Sequence, residues 1–233
     1  MSSEDVYGDE NYKAMKKALK DRVKPDRYDH CKRVAKTAVE LAEIYGVDEK
    51  KARMAGLLHD WDKALSLDEA RDRVTEFGLD IDPIVVTDMP YLLHGPTGAA
   101  VLGRDYPELD NDVLQAISRH TQGARNMTPL DMVIYIADLI EPGRSYKRVK
   151  AVRNAVGKVS LEELYFLAFK NVYEFLISQN RLMHPQTAEL WNHLVYRLQM
   201  GSHERARSSF EARSQLEPQP GDWLAAERTI GNE

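Results

Sequence analysis

The chain has one cysteine, Cys31, among its 233 residues. A single thiol can build neither an intrachain disulfide nor a thiolate zinc site, and a reducing cytoplasm fits that usage. Nothing approaches the length of a membrane span, so no membrane partner is expected. The N-terminal stretch MSSEDVYGDENYK has no apolar core and does not read as a signal peptide. An excess of positive charge is missing as well. Thirty-two Lys and Arg stand against 37 Asp and Glu, a formal charge of -5. That balance argues against a general electrostatic grip on nucleic acid, while a local basic pocket can still take a small polyanion. Strand-forming runs are scarce. The only β-like run, Ile84 to Val86, is too short to build a sheet, and no internal repeat appears.

What the sequence does contain is helical period and helical punctuation, with an ordinary 43% of hydrophobic residues to fill a core. Helices are predicted over Asn11 to Val23, and over Asp26 to Tyr45 with Gly46 closing it. Asp48 caps a third helix that runs to His59. Ser66 and Glu69 form a capping box for a helix that Gly78 ends. The stretch IDPIVVTDMPYLLHGP reads as an irregular joint, followed by helices from about Thr97 to Arg104 and Asn111 to His120. Thr128-Pro129 opens a further helix that ends at EPGR, residues 141 to 144. Ser160 and Glu163 box a long helix to about Gln179, and Pro185 starts a last one that ends near Met200. The fold class is therefore all-α, with a polar arm over residues 1–10, one domain over 11–200 and a flexible tail over 201–233.

Polar groups interrupt these helices at particular places. His30 lies in the first turns of its helix. His59 and Asp60 end theirs, as does His120, and Asp138 lies near the end of VIYIADLI. His94 sits in the joint before a helix. Each has a plain structural role open to it: a surface residue for His30, a C-terminal cap for His59-Asp60, backbone-bonded loop residues for His94 and His120, a buried acceptor for Asp138. Taken together they suit a metal site of imidazole nitrogen and carboxylate oxygen gathered from separate helices. Such donors fit Fe, Mn, Zn, Co or Ni better than Cu(I).

The order His30, His59-Asp60, Asp138 resembles the H…HD…D signature of the HD-domain metal-dependent phosphohydrolases. RYDHCKRVAKTAVELAEIYGV, AGLLHDWDK, LLHGPTGAAVL, AISRHTQGARNMTPLDMVIYIADLIEPGR and NRLMHPQTAELWN resemble, in that order, the bacterial YqeK family over about Arg27 to Asn192. That family hydrolyses dinucleoside tetraphosphates symmetrically. The resemblance implies an HD-domain helical bundle and a bound iron held by His30, His59, Asp60 and Asp138. It also implies nucleotide contacts from Arg27, Lys63, His94, His120, Thr121, Arg144 and the segment Arg181 to Gln186, which includes His184, Pro185 and Gln186. Asp62 departs from the pattern by adding a carboxylate beside the metal helix, which bears on metal number. The acidic arm and the tail beyond Met200 depart too.

Water bound to a dication loses its proton near neutral pH, which supplies a nucleophile for a phosphoanhydride. Lys63, Arg144 and Arg181 are candidates to hold the polyphosphate, with Arg144 the best placed after Gly143. Asp60, His94 and His120 are the candidate catalytic residues. His94 and His120 are expected to contact phosphate, with proton donation or ligation of a second metal, bridged by Asp60, as the alternatives. Tyr91, Trp61 and Tyr135 are candidates to stack on a base, although an apolar helix suits Tyr135 to the core. The expected substrate is diadenosine tetraphosphate or a related dinucleoside polyphosphate and the product ADP, with one or two ions. A homodimer is left open. A rival is an HD hydrolase of a mononucleotide or a guanosine polyphosphate, although HDWDKALSLDE lacks the Glu-Asp pair of the latter. A regulator without turnover is disfavoured, because it has no need of an open metal.

Overall fold

The computed structural model describes residues 6–145 and 148–200, so the predicted tail lies outside the described residues. Among them there is no strand. The helices are α1 (Asp9–Arg22), α2 (Pro25–Tyr45), α3 (Glu49–Leu58), α4 (Leu67–Glu76), α5 (Pro83–Asp88), α6 (His94–Asp105), α7 (Asn111–Arg119), α8 (Pro129–Ile140), α9 (Val149–Ala155) and α10 (Leu161–Ser178). Residues 187–200 are helical too. One unit runs to Leu190 and a second begins at Trp191. No helix of the described residues is long and apolar enough to cross a membrane.

The helix starts follow the local chemistry. Ser66, Thr128 and Ser160 each accept from the backbone N–H three residues on, and Glu69, Asp131 and Glu163 return the bond to close a capping box. Such a cap contributes about 1 kcal/mol. Gly46, at φ 70°, closes α2 in the left-handed region as expected. Two helices were not foreseen. The joint at 81–96 contains α5 and a short 3-10 turn, Pro90–Leu92, and α6 begins at His94 rather than Thr97. The β-like run Ile84 to Val86 lies inside α5. Helix α9 occupies a stretch with no predicted element. Segments of six or seven residues give too little periodicity to be seen.

Helix α8 is apolar on nearly all sides, with Leu130, Val133, Ile134, Tyr135, Ile136 and Ala137 all buried. A helix without a polar face belongs in a core, and α8 packs against α2, α3, α7, α9 and α10. Its capping Asp131 is buried and also accepts from Arg119 Nη1 and Gln115 Nε2, both at 2.9 Å. That charge pair locks the end of α7 onto the start of α8. Helices α2 and α3 approach closely at Gly56, where a Cβ would lie 2.9 Å from Ala35 Cα. Gly56→Ala is therefore expected to overpack this crossing and lower stability by roughly 1–3 kcal/mol. A fall in the urea midpoint at unchanged slope would show it, and an unshifted midpoint would refute the close crossing.

Candidate active site

Helix ends deliver the site. His59 is the C-terminal cap residue of α3 and His120 that of α7, His94 opens α6, His30 lies in the second turn of α2, and Asp138 lies in the last turn of α8. All four histidines are buried. His59, His94 and His120 each donate Nδ1–H to the carbonyl three residues earlier, at Gly56 (2.8 Å), Tyr91 (2.8 Å) and Ile117 (2.7 Å). A carbonyl only accepts, so these bonds fix the tautomer and leave an Nε2 lone pair on each ring. His30 is held in the same sense, its Nδ1 3.2 Å from Glu141 Oε1. The capping and ligand roles proposed for His59 are thus compatible, because they use opposite edges of one ring.

The free edges converge on two carboxylates. His30 Nε2 lies 3.0 Å from Asp138 Oδ1, and His59 Nε2 lies 3.3 Å from Asp60 Oδ2. On the other side of the same carboxylate, His94 Nε2 lies 3.1 Å from Asp60 Oδ1 and His120 Nε2 3.9 Å. The Nε2 atoms of His94 and His120 face each other at 3.1 Å. Asp60 therefore presents one oxygen to each of two clusters: His30, His59 and Asp138, and its own group with His94 and His120. The Nε2 atoms of His30 and His59 are buried with no hydrogen bond. Lone pairs aimed at carboxylate oxygens in a desolvated space fit a divalent cation, which supplies the charge they all favour.

The electrostatics agree. Burial raises the Asp60 carboxyl, but the His59 and His94 rings outweigh it and hold it well below the usual carboxylate range. Burial is likewise overcome at Asp138 by His30, His59 and Arg144, and that carboxyl too is held well down. Burial, with the charges of His59 and His94, pulls His120 down to about 3. At neutral pH the carboxylates are charged and His120 is neutral, the states a ligand needs. At His59, by contrast, burial is outweighed by the Asp60 and Asp138 charges, which raise the ring, so a cation bound there would displace a proton from it. Cys31 forms a third group with His59 and Asp60, and burial and the Asp60 charge push its thiol well above the usual range.

A cavity of about 530 Å³ opens on the clusters and is lined by Arg27, Lys63, His94, His120, Thr121 and Arg144, all expected nucleotide contacts, together with Asp60 and Asp138. Arg27 Nη1 donates to Asp60 Oδ2 at 2.8 Å and Arg144 Nη2 to Asp138 Oδ1 at 2.6 Å. Tyr91, Leu92, Tyr135, Leu139, Asn171, Val172, Phe175 and Leu176 supply the rest of the wall. The α10 residues among them escaped sequence analysis, since an apolar stripe on a long helix reads as core. The late segment falls elsewhere. His184 and Gln186 line a separate cavity of about 180 Å³ with residues of the 122–125 loop, while Arg181 and Pro185 are exposed and line neither.

Three expectations change. Asp62 does not face the clusters. Its fully buried side chain accepts from Arg22 Nη2 at 2.8 Å and from Arg73 Nη1 at 2.5 Å, so it has no bearing on metal number. Trp61 is buried edge-on to Tyr106 with the Arg22 guanidinium over its ring, out of reach of a base. His94 is a helical residue and not part of a loose joint. Glu141 was missed altogether. It is buried, accepts from Arg33 Nε (2.5 Å) and the Gly143 N–H (2.6 Å), and orients His30. A lone Glu at the buried end of an apolar helix was the signal available.

Adjacent His and Asp at a helix end, joined by a distant His and Asp, make the site of an HD domain, and the HD domain family model matches residues 27–143. The symmetrical bis(5'-nucleosyl)-tetraphosphatase of Staphylococcus aureus is 35% identical over 80% of the chain and 95% of its own length. That of Bacillus subtilis is 36% identical over 76% of the chain and 94% of its own length. A solved structure, described as a predicted HD superfamily hydrolase involved in NAD metabolism from Clostridium acetobutylicum, superposes with a TM-score of 0.73 at 37% identity, covering 80% of this chain and 97% of that one. The chain belongs to the HD-domain family of symmetrical bis(5'-nucleosyl)-tetraphosphatases.

Glu141→Gln is expected to weaken metal affinity by about 10–100-fold, because a neutral amide no longer holds His30 and Arg33 together. Titration of metal-free protein with a divalent ion reads this directly. Unchanged affinity in a folded variant would remove Glu141 from the site.

Proposed function

We infer that the protein is a metal-dependent hydrolase that cleaves dinucleoside tetraphosphates, diadenosine tetraphosphate among them, at the central phosphoanhydride to give two nucleoside diphosphates. The observation that carries this is a carboxylate, Asp60, turned by one oxygen to each of two imidazole clusters beside a cavity with basic and apolar walls. The tetraphosphatase relatives, matched over nearly their whole length, support the substrate class.

In this reading His30, His59, Asp60 and Asp138 hold one divalent cation, and His94 and His120 share a second with Asp60. Ligation by His94 and His120 is preferred to phosphate contact, because an Nε2 lone pair repels a phosphate oxygen and suits a cation. Iron is the proposed metal, with Mn, Co, Ni and Zn compatible with the same donors. Bound there, the cations supply an activated water at neutral pH and neutralise charge on the attacked phosphate. Arg27, Lys63 and Arg144 hold the polyphosphate chain, and Thr121 adds a hydroxyl at the cavity wall. The leaving group is itself a phosphate oxygen, so charge neutralisation serves it better than a proton. Tyr91 and the α10 wall receive a base. His184 and Gln186 lie beside the 122–125 loop, in a cavity apart from this one. We place the protein in the cytoplasm, take residues 11–200 as the hydrolase domain, and expect no nucleic-acid partner.

Diadenosine tetraphosphate should yield ADP as the sole nucleotide product, lost on chelation and restored by divalent metal. ATP and AMP as products would refute the symmetrical cut. Wild type is expected to hold two cations per chain, and His94→Ala or His120→Ala one, with activity down by more than 100-fold, about 2.7 kcal/mol. His59→Ala or Asp60→Ala should lose most metal while circular dichroism stays helical. Two cations retained in either the His94 or the His120 variant would return that residue to phosphate contact.

A further inference from the structure

The residues placed so far account for one half of a substrate that has two. In a symmetrical cut the bond broken lies at the middle of the phosphate chain. The attacking and leaving oxygens stand on opposite sides of the attacked phosphorus. The half that leaves departs along the line of attack, while the half that keeps the attacked phosphorus hangs on one of its three equatorial oxygens, so the two halves diverge from the clusters in different directions. The cavity described above offers an apolar wall to one base, at Val172, Phe175 and Leu176. The other half has to leave the clusters by another route.

A second cleft, of about 420 Å³, lies between the start of α2 and the turn that follows Asp60. It shares two residues with the main cavity, Arg27 and Lys63. Both stand at the clusters. Arg27 bonds Asp60 Oδ2 at 2.8 Å, and Lys63 Nζ lies 3.4 Å from His94 Nδ1. A phosphate chain passing between them therefore enters this cleft. Its charge suits that passenger. Lys24, Arg27 and Lys63 face one acid, Asp26, whose Oδ1 already accepts the Arg27 backbone N–H at 2.9 Å. Lys24 is exposed and makes no ion pair among the described residues. Val23 and Leu65 add apolar floor for a nucleoside. The far wall is rigid, because the Arg22–Asp62–Arg73 charge cluster and the Arg22 Nε bond to Trp61 O (2.8 Å) pin the turn that carries Lys63 to Leu65.

Resting on the tetraphosphatase reading, we propose that this cleft is the second nucleotide subsite, which takes the nucleoside diphosphate half that lies away from the α10 wall. Lys24 contacts its phosphates and is a specificity residue for dinucleotides over mononucleotides. In this arrangement both halves are gripped at once, and each released half is a weaker ligand than the whole.

Lys24→Glu and Lys24→Ala test it on the metal-loaded full chain. The side chain is exposed and makes no ion pair among the described residues, so both variants should fold. Affinity for diadenosine tetraphosphate with a methylene at the central bridge, measured by calorimetry, should fall about tenfold in Lys24→Glu and less in Lys24→Ala. Affinity for ADP, which binds first at the α10 wall, should change less than twofold. The KM for diadenosine tetraphosphate should rise with the analogue constant while kcat changes little. Equal loss for ADP and the analogue, or no loss for either, would overturn the subsite. So would a wild type that binds the analogue no tighter than ADP. Failure of the tetraphosphatase reading looks different: the wild type would bind the analogue tightly in two contacts yet release no ADP from diadenosine tetraphosphate.

Discussion

Each of the four buried histidines is fixed by a bond on its Nδ1 edge, and the site depends on that constraint. Three of these bonds go to the carbonyl three residues earlier, near a helix end, where backbone acceptors are short of partners. The helix gains a cap and the ring gains a single tautomer. A ring free to flip would present N–H and lone pair by turns, and a cation would have to pay for ordering it. His30, inside a helix, has no such carbonyl available, and the buried Glu141 does the same work from α8. Glu141 is itself steadied by Arg33 and the Gly143 N–H, and a Cβ at position 143 would lie 2.6 Å from the Arg33 guanidinium and displace it from Glu141.

Burying this much charge is costly unless every group is paired. The fold answers by surrounding the clusters with buried ion pairs and charge-assisted hydrogen bonds between helices. Asp62 takes two guanidinium groups, Asp131 ties α7 to α8, and Arg153 of α9 donates to the carbonyls of Ile140, Glu141 and Arg144. That last contact gives the short α9 its purpose: it holds the turn from which Arg144 reaches Asp138. The helix ends that carry the His and Asp clusters are thereby held in place before any ligand binds.

A mildly acidic protein with a basic pocket follows from the same arrangement. Arg27, Lys63 and Arg144 line the cavity that holds the Asp60 and Asp138 carboxylates, while acidic residues elsewhere set the net charge. Such a local field suits a compact polyanion.

Much of this was legible in the residues alone. Capping boxes at Ser66, Thr128 and Ser160, the glycine after α2 and the 3.6-residue spacing report local interactions, and each is realised where the chemistry put it. The order of His30, His59-Asp60 and Asp138 pointed to ligands brought together from three helices, and the structure gathers them. Spacing could not say which of Asp60, Trp61 and Asp62 turns inward, because all three follow one helix end. Arg22 and Arg73, from α1 and α4, decide it by claiming Asp62 and covering Trp61. Likewise no local signal separates His94 and His120, which share Asp60, from His184 and Gln186, which the fold sets in another cavity. Helical punctuation is written in neighbours along the chain, whereas the facing of a side chain at a helix end is settled by partners tens of residues away, and only the packed structure brings those partners into contact.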